Sequence, residues 1–103
     1  MKPLTKPQAC DNIQEIRDAI DVIDQEILQL FAQRHEYVKE IVKFKSGDEE
    51  GIIARERKEL VLKQRREWAE ARGLDAEMME QVFRLLIDKN IQIQLDIYNS
   101  NNK

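Results

Sequence analysis

A positive side chain stands where this chain should carry an apolar one. Ile13, Ile16, Ile20, Ile23, Ile27 and Leu30 recur in steps of three and four, and the same stripe passes through Arg34 before Tyr37, Ile41 and Phe44 resume it. That period is the seam of a helix. Burying an unpaired guanidinium is costly, so Arg34 calls for an anion: an acid from another helix, or a small-molecule carboxylate. A third option is that its stem lies on the seam while its head reaches water. Lys45 follows Arg34 by 11 residues. At 100° per residue it returns to within ~20° of the same face, roughly 16 Å further along. Two inward cations at that spacing suit a small molecule with two acidic or electronegative ends. Taken alone, Lys45 also fits as a favourable cation at a helix C-terminus.

Two amides break a second stripe. Phe83, Ile87, Asn90, Gln94 and Ile97 share one face, with Asn90 and Gln94 one turn apart. They are either neutral hydrogen-bond partners in a cationic pocket or a structural amide network between subunits. Arg17 precedes Arg34 by 17 residues, which is ~25 Å and about 100° away on a straight helix. The two cannot share a pocket on one helix, so any contribution from Arg17 to such a site comes from a second chain. Otherwise Arg17 is a surface residue paired with Asp21 at i+4. Arg55 and Glu56 follow a glycine-flanked loop, and Glu56 falls in a first helical turn, where an acid is favoured. The run Lys63 to Arg66 reads as a solvated face, and Leu60, Val61, Gln64 and Trp68 as a packing face.

Three helices must position these residues. Pro3 and Pro7 lie in the first seven positions, and the three glycines are Gly47, Gly51 and Gly73. Between them run three segments of good helix formers, about 11–46, 53–72 and 76–98. Asp11 with Gln14, or Asn12 with Glu15, can open the first. Gly73 can close the second, and Asp75 can cap the third. Positions 99–103 read as a frayed polar tail. No period-two alternation or Asn-Gly hairpin signal occurs, so the fold class is all-α. At 103 residues one domain is expected, spanning 1–103 with an ordered core of about 11–98. A first helix of that length reaches roughly 54 Å, far beyond the ~13 Å radius of gyration of a compact domain this size. Its seam would stay bare in a monomer, so a homodimer is expected.

Composition excludes other classes. The formal net charge is −3 with acids and bases interspersed, and no basic stripe with aromatics appears, so no nucleic acid partner is expected. No apolar run reaches the ~18 residues a membrane span needs, and residues 1–8 lack the apolar core of a secretory signal. A cytoplasmic protein is expected. Cys10 is the one cysteine and His35 the one histidine, so no internal disulfide and no metal centre built on several of either is available.

Across about 12–96, the chain resembles the all-helical chorismate mutases and their relatives, the isochorismate-pyruvate lyases. The residues that carry the likeness are Ile16 to Asp24, Gln33-Arg34, Lys43-Phe44-Lys45, Arg55-Glu56-Arg57, Gly73 to Ala76, and Gln94. The resemblance implies an intertwined dimer of three-helix subunits with two sites. Each site would take Arg34, Lys45, Arg55, Glu56, Asn90 and Gln94 from one chain and Arg17 from the other. It implies a chorismate-type dicarboxylate substrate, no cofactor and no metal, and a place in aromatic amino acid biosynthesis by the shikimate pathway. Lys45 and Gln94 would be catalytic, donating to the ether oxygen of the breaking bond, and the others would bind substrate. Arg55 before Glu56 is mutase-like. Tyr37-Val38-Lys39, Phe44-Lys45 and Trp68-Ala69-Glu70 are lyase-like, and Ile52 stands where mutases often place an acid. The expected activity is therefore chorismate mutase, with the lyase as first alternative. A non-catalytic helical dimer or a chorismate-binding regulator is the alternative of another class. The loop Gly47–Gly51 is a candidate lid.

Overall fold

A computed structural model describes residues 4–44 and 54–101. Three α-helices carry the chain: α1, Ile13–Glu40; α2, Arg55–Ala71; and α3, Ala76–Asn101. Short 3-10 turns precede and follow α1, at Pro7–Ala9 and Ile41–Phe44. The residues pack as two compact units, Met1–Glu36 and Tyr37–Lys103, and the boundary falls inside α1.

In the first unit, Asn12 opens α1. Its Oδ1 accepts from the Glu15 amide at 2.9 Å, and the Glu15 carboxylate accepts in turn from the Asp11 amide at 3.0 Å. This is the Asn12/Glu15 version of the expected cap, with the acid reaching one residue further back. The segment before the helix lies against the seam, where Leu4, Pro7, Cys10, Ile16, Ile20 and Ile23 line a shallow cavity. No residue of α1 is buried. Ile13 is 61% exposed and Leu30 55%, with the isoleucines between them 40–50% exposed.

At its end α1 departs from expectation. The sequence predicts a helix to Ser46, but α1 stops at Glu40 and tightens into the Ile41–Phe44 turn. A 3-10 turn winds ~120° per residue and rises ~2.0 Å. The facing of Lys45 deduced from Arg34 therefore does not carry through. Lys45 itself and the candidate lid Gly47–Gly51 lie outside the described residues.

The second unit holds the core. Gly73, at φ +72, closes α2. Its amide bonds the Glu70 carbonyl at 3.1 Å, and the Leu74 amide bonds the Ala69 carbonyl at 2.9 Å. That reciprocal pair satisfies carbonyls a helix end otherwise leaves without donors. Asp75 then caps α3, its Oδ1 accepting from the Met78 amide at 3.0 Å. The two helices return antiparallel, with Val61, Leu62 and Ala69 buried between them. Leu62 is 1% exposed, so cutting it to alanine costs about 2–5 kcal/mol. Lys58–Asp88 at 2.6 Å and Arg66–Glu80 at 3.3 Å mark the register. As half-exposed pairs they add little stability. Of the expected packing face, Val61 is buried and Gln64 half-buried, but Trp68 is 51% and Leu60 49% exposed, and Leu62 and Ala69 join Val61 in the core. Helix α3 continues to Asn101, past the predicted end at Tyr98. No helix among the described residues is long and apolar enough to cross a membrane.

Candidate active site

Gln94 is the one buried polar side chain among the described residues, at 5% exposure. Its Nε2 donates to the Val38 carbonyl at 3.0 Å. Val38 lies in the last turn of α1, where carbonyls run out of helical donors. The two needs answer each other: a buried amide must be bonded, and a helix end must be capped. An amide carries two N–H donors and one acceptor, and Val38 uses one donor. Asn90 is half-buried one turn earlier on the same stripe. The Ile41–Phe44 turn packs against α3 as well.

The first turn of α2 faces this stretch. Lys58 pairs with Asp88, so Arg55 and Glu56, just before it, lie at the level of Asn90 in an antiparallel pair. Among the described residues, Ala54, Arg55, Glu56 and Arg57 line an open depression there. Among the described residues, its rim carries two cations, Arg55 and Arg57, and one acid, Glu56. Glu56 is in the first turn of α2, where the helix dipole favours its charge. Ala54 enters the helix with a left-handed φ of +45 and no side-chain cap. That conformation costs an L-residue roughly 1–2 kcal/mol, and it sits beside the expected binding residues, a common place for backbone strain.

The second unit thus holds Arg55, Glu56, Asn90 and Gln94, with the first turn of α2 at the axial level of Asn90. Arg17 and Arg34 belong to the first unit. Arg17 is exposed and Arg34 half-buried. Helix α1 is regular through both, so the ~25 Å between them stands. Burial holds the Arg34 guanidinium below its ordinary pKa. Arginine still keeps its charge at neutral pH, and an anion beside it acts in the opposite direction to burial. Among the described residues, no group of three or more His, Cys, Asp or Glu is placed to hold a metal ion.

Two features escaped the sequence reading. The Val38 carbonyl is a backbone partner 56 residues from Gln94, and no local signal marks it. The run Lys63 to Arg66 is not simply a solvated face. Arg65 stacks on Trp68, with its guanidinium carbon 4.4 Å from the ring centroid, and reaches Phe83 at 5.6 Å, while Arg66 pairs with Glu80. A legible trace was present, since Arg65 and Trp68 are three apart on one helix face.

Comparison with known proteins matches residues 16–95 to the family described as chorismate mutase type II. The isochorismate pyruvate lyase of Pseudomonas aeruginosa is 40% identical over 89 residues, 86% of this chain and 87% of that protein. A T-protein of Haemophilus influenzae is 39% identical over 72 residues, and one of Enterobacter agglomerans 35% over 81. The chain matches 19% and 22% of the length of those T-proteins.

Proposed function

The chain belongs to the chorismate mutase type II family, and from that premise we propose that it rearranges chorismate to prephenate as a homodimer. The reading rests on one observation above the rest: a buried amide, Gln94, on a helix stripe that only Asn90 otherwise interrupts, one turn beyond the level of the charged first turn of α2.

The chemistry is a one-substrate pericyclic shift. A carbon–oxygen bond breaks as a carbon–carbon bond forms, and no proton, nucleophile or metal takes part. The protein's task is to hold the compact reactive conformer and to favour charge building on the ether oxygen. Chorismate is a dianion. Arg34 from one chain and Arg17 from the other clamp its carboxylates, and Arg55 supports one of them. Glu56 accepts from the ring hydroxyl, and Asn90 adds a neutral hydrogen bond. Lys45 and Gln94 donate to the ether oxygen. The Val38 carbonyl orients the Gln94 amide before substrate arrives, so little reorganisation remains at the moment of reaction. Dimerisation completes the site, because Arg17 cannot reach Arg34 along a single helix.

A second reading has its own support: the isochorismate pyruvate lyase relative is matched over 87% of its length at 40% identity. On that reading the same residues release pyruvate and salicylate from isochorismate. One experiment separates the two. Purified protein is given chorismate and isochorismate in parallel, with prephenate, salicylate and pyruvate quantified. Prephenate as the dominant product is the expected result. Salicylate and pyruvate alone transfer the assignment to the lyase, and no product from either removes the enzyme.

A further inference from the structure

A second concave feature lies at the other end of the α2–α3 pair, by the Gly73 turn. It is an open cavity of about 280 Å³, with Trp68, Leu74, Met79 and Phe83 as its apolar wall. Among the described residues, Arg65 and Arg72 are the charged ones lining it, and none of the lining residues is acidic. Along α3, Phe83 is ~16 Å from Gln94, so none of the proposed catalytic residues contributes to it.

The cations are held in a particular way. Arg65 lays the face of its guanidinium on Trp68 and towards Phe83. Stacking uses the face of the group, whereas carboxylates are bound by the N–H donors at its edge. The Gln64 Oε1 accepts one of those donors at 3.4 Å. Arg72 donates one N–H to the Trp68 carbonyl at 3.0 Å, which ties it to the end of α2. A guanidinium has five such donors. Both arginines are therefore steadied at the rim of an aromatic slot, an arrangement that complements a flat apolar body ending in an acid. The volume is just under the roughly 300 Å³ at which small-molecule sites begin, which limits the guest to about one ring with a short acidic arm.

We propose that this cavity is a binding site for a one-ring aromatic carboxylate, separate from the catalytic centre. The ring lies against Trp68, Phe83, Leu74 and Met79, and the carboxylate meets the edges of Arg65 and Arg72. The proposal does not depend on whether the enzyme is a mutase or a lyase.

Trp68 is the sole tryptophan, so its emission reports on this site alone. The purified full chain is titrated with benzoate, benzyl alcohol and acetate. Saturable change with benzoate is expected, with at least tenfold weaker response to the other two. Arg65→Gln, checked for helicity and for unchanged turnover, should weaken benzoate by roughly 10- to 100-fold, the effect of losing a charged hydrogen-bond partner. Linear, unsaturable quenching by all three compounds overturns the proposal, as does equal affinity in Arg65→Gln. So does Trp68 emission that shifts with protein concentration and ignores benzoate, because a second copy then covers the slot. Should Arg65→Gln not fold, the three-ligand comparison on the parent still decides.

Discussion

The two units of this chain solve the problem of an apolar surface differently. In Tyr37–Lys103, α2 and α3 supply each other's cover, and Val61, Leu62, Ala69 and Gln94 are buried. In Met1–Glu36, a longer and more regular stripe of isoleucines has no comparable cover: Ile16, Ile20, Ile23 and Ile27 are all at least 40% exposed. A row of apolar residues at seam spacing is expensive to leave in water. The hairpin is thus provisioned from within, whereas the first unit calls for a second chain. That contrast is the physical basis for the proposed homodimer.

The sharpest way to break the contrast is to charge the bare seam. Ile20→Asp should cost ~3 kcal/mol per copy, doubled by two-fold symmetry, and so weaken association by about 10⁴-fold. Sedimentation velocity should show monomer, and turnover should vanish with it. A variant that stays dimeric and active would mean that the seam is not the interface.

Within the second unit, Gln94→Ala should lower turnover by roughly 10²–10³, as expected for a lost transition-state donor. It should also lower stability by about 1–3 kcal/mol, because the Val38 carbonyl loses its partner. Loss of stability with turnover intact would make Gln94 a helix cap and nothing more. The parent's rate should be flat from pH 6 to 8. Burial lowers Arg34 from a value far above neutrality. Its titration therefore lies at alkaline pH, and its cost to folding is constant across that window. A steep change between pH 6 and 8 would point to a titrating group outside the proposed set.

Mixing tests whether the first unit of one chain serves the second unit of another. Arg17→Ala and Lys45→Ala should each be inactive. A random mixture should recover about one quarter of parental activity, since half the dimers are hybrids and each hybrid holds one intact site. No recovery after confirmed subunit exchange would put Arg17 outside the partner's site. The smallest effect concerns Ala54. Its φ of +45 suits glycine, so Ala54→Gly should stabilise the chain by ~0.5–1 kcal/mol after the entropy of the added glycine is deducted. Differential scanning calorimetry should register a rise of a few degrees.

Much of the fold was legible, and the legible parts share a property. The Asn12/Glu15 start, the Gly73 stop and the Asp75 cap are each made within a few residues of chain. Hydrophobic period and capping chemistry are local, so they can be read in order along the sequence. What was misread depends on neighbours far along the chain. The tightening at Ile41, the half-exposure of Trp68 and the stack of Arg65 on Phe83 each depend on what packs beside them. Of the candidate site, the unusual polarity of Arg34, Asn90 and Gln94 was visible as breaks in apolar stripes, but their partners were not.

The amino-acid order by itself determined three helices, their caps, and which faces carry charge where grease is the rule, because those properties follow from spacing and side-chain chemistry. Only the folded arrangement decided that Leu62 and Ala69, not Trp68 and Leu60, fill the core. It alone brought Gln94 to the Val38 carbonyl and put the first turn of α2 at the level of Asn90. The reason is geometric: a residue's type says what it can bond, while the packing of helices distant in sequence selects which bond it makes.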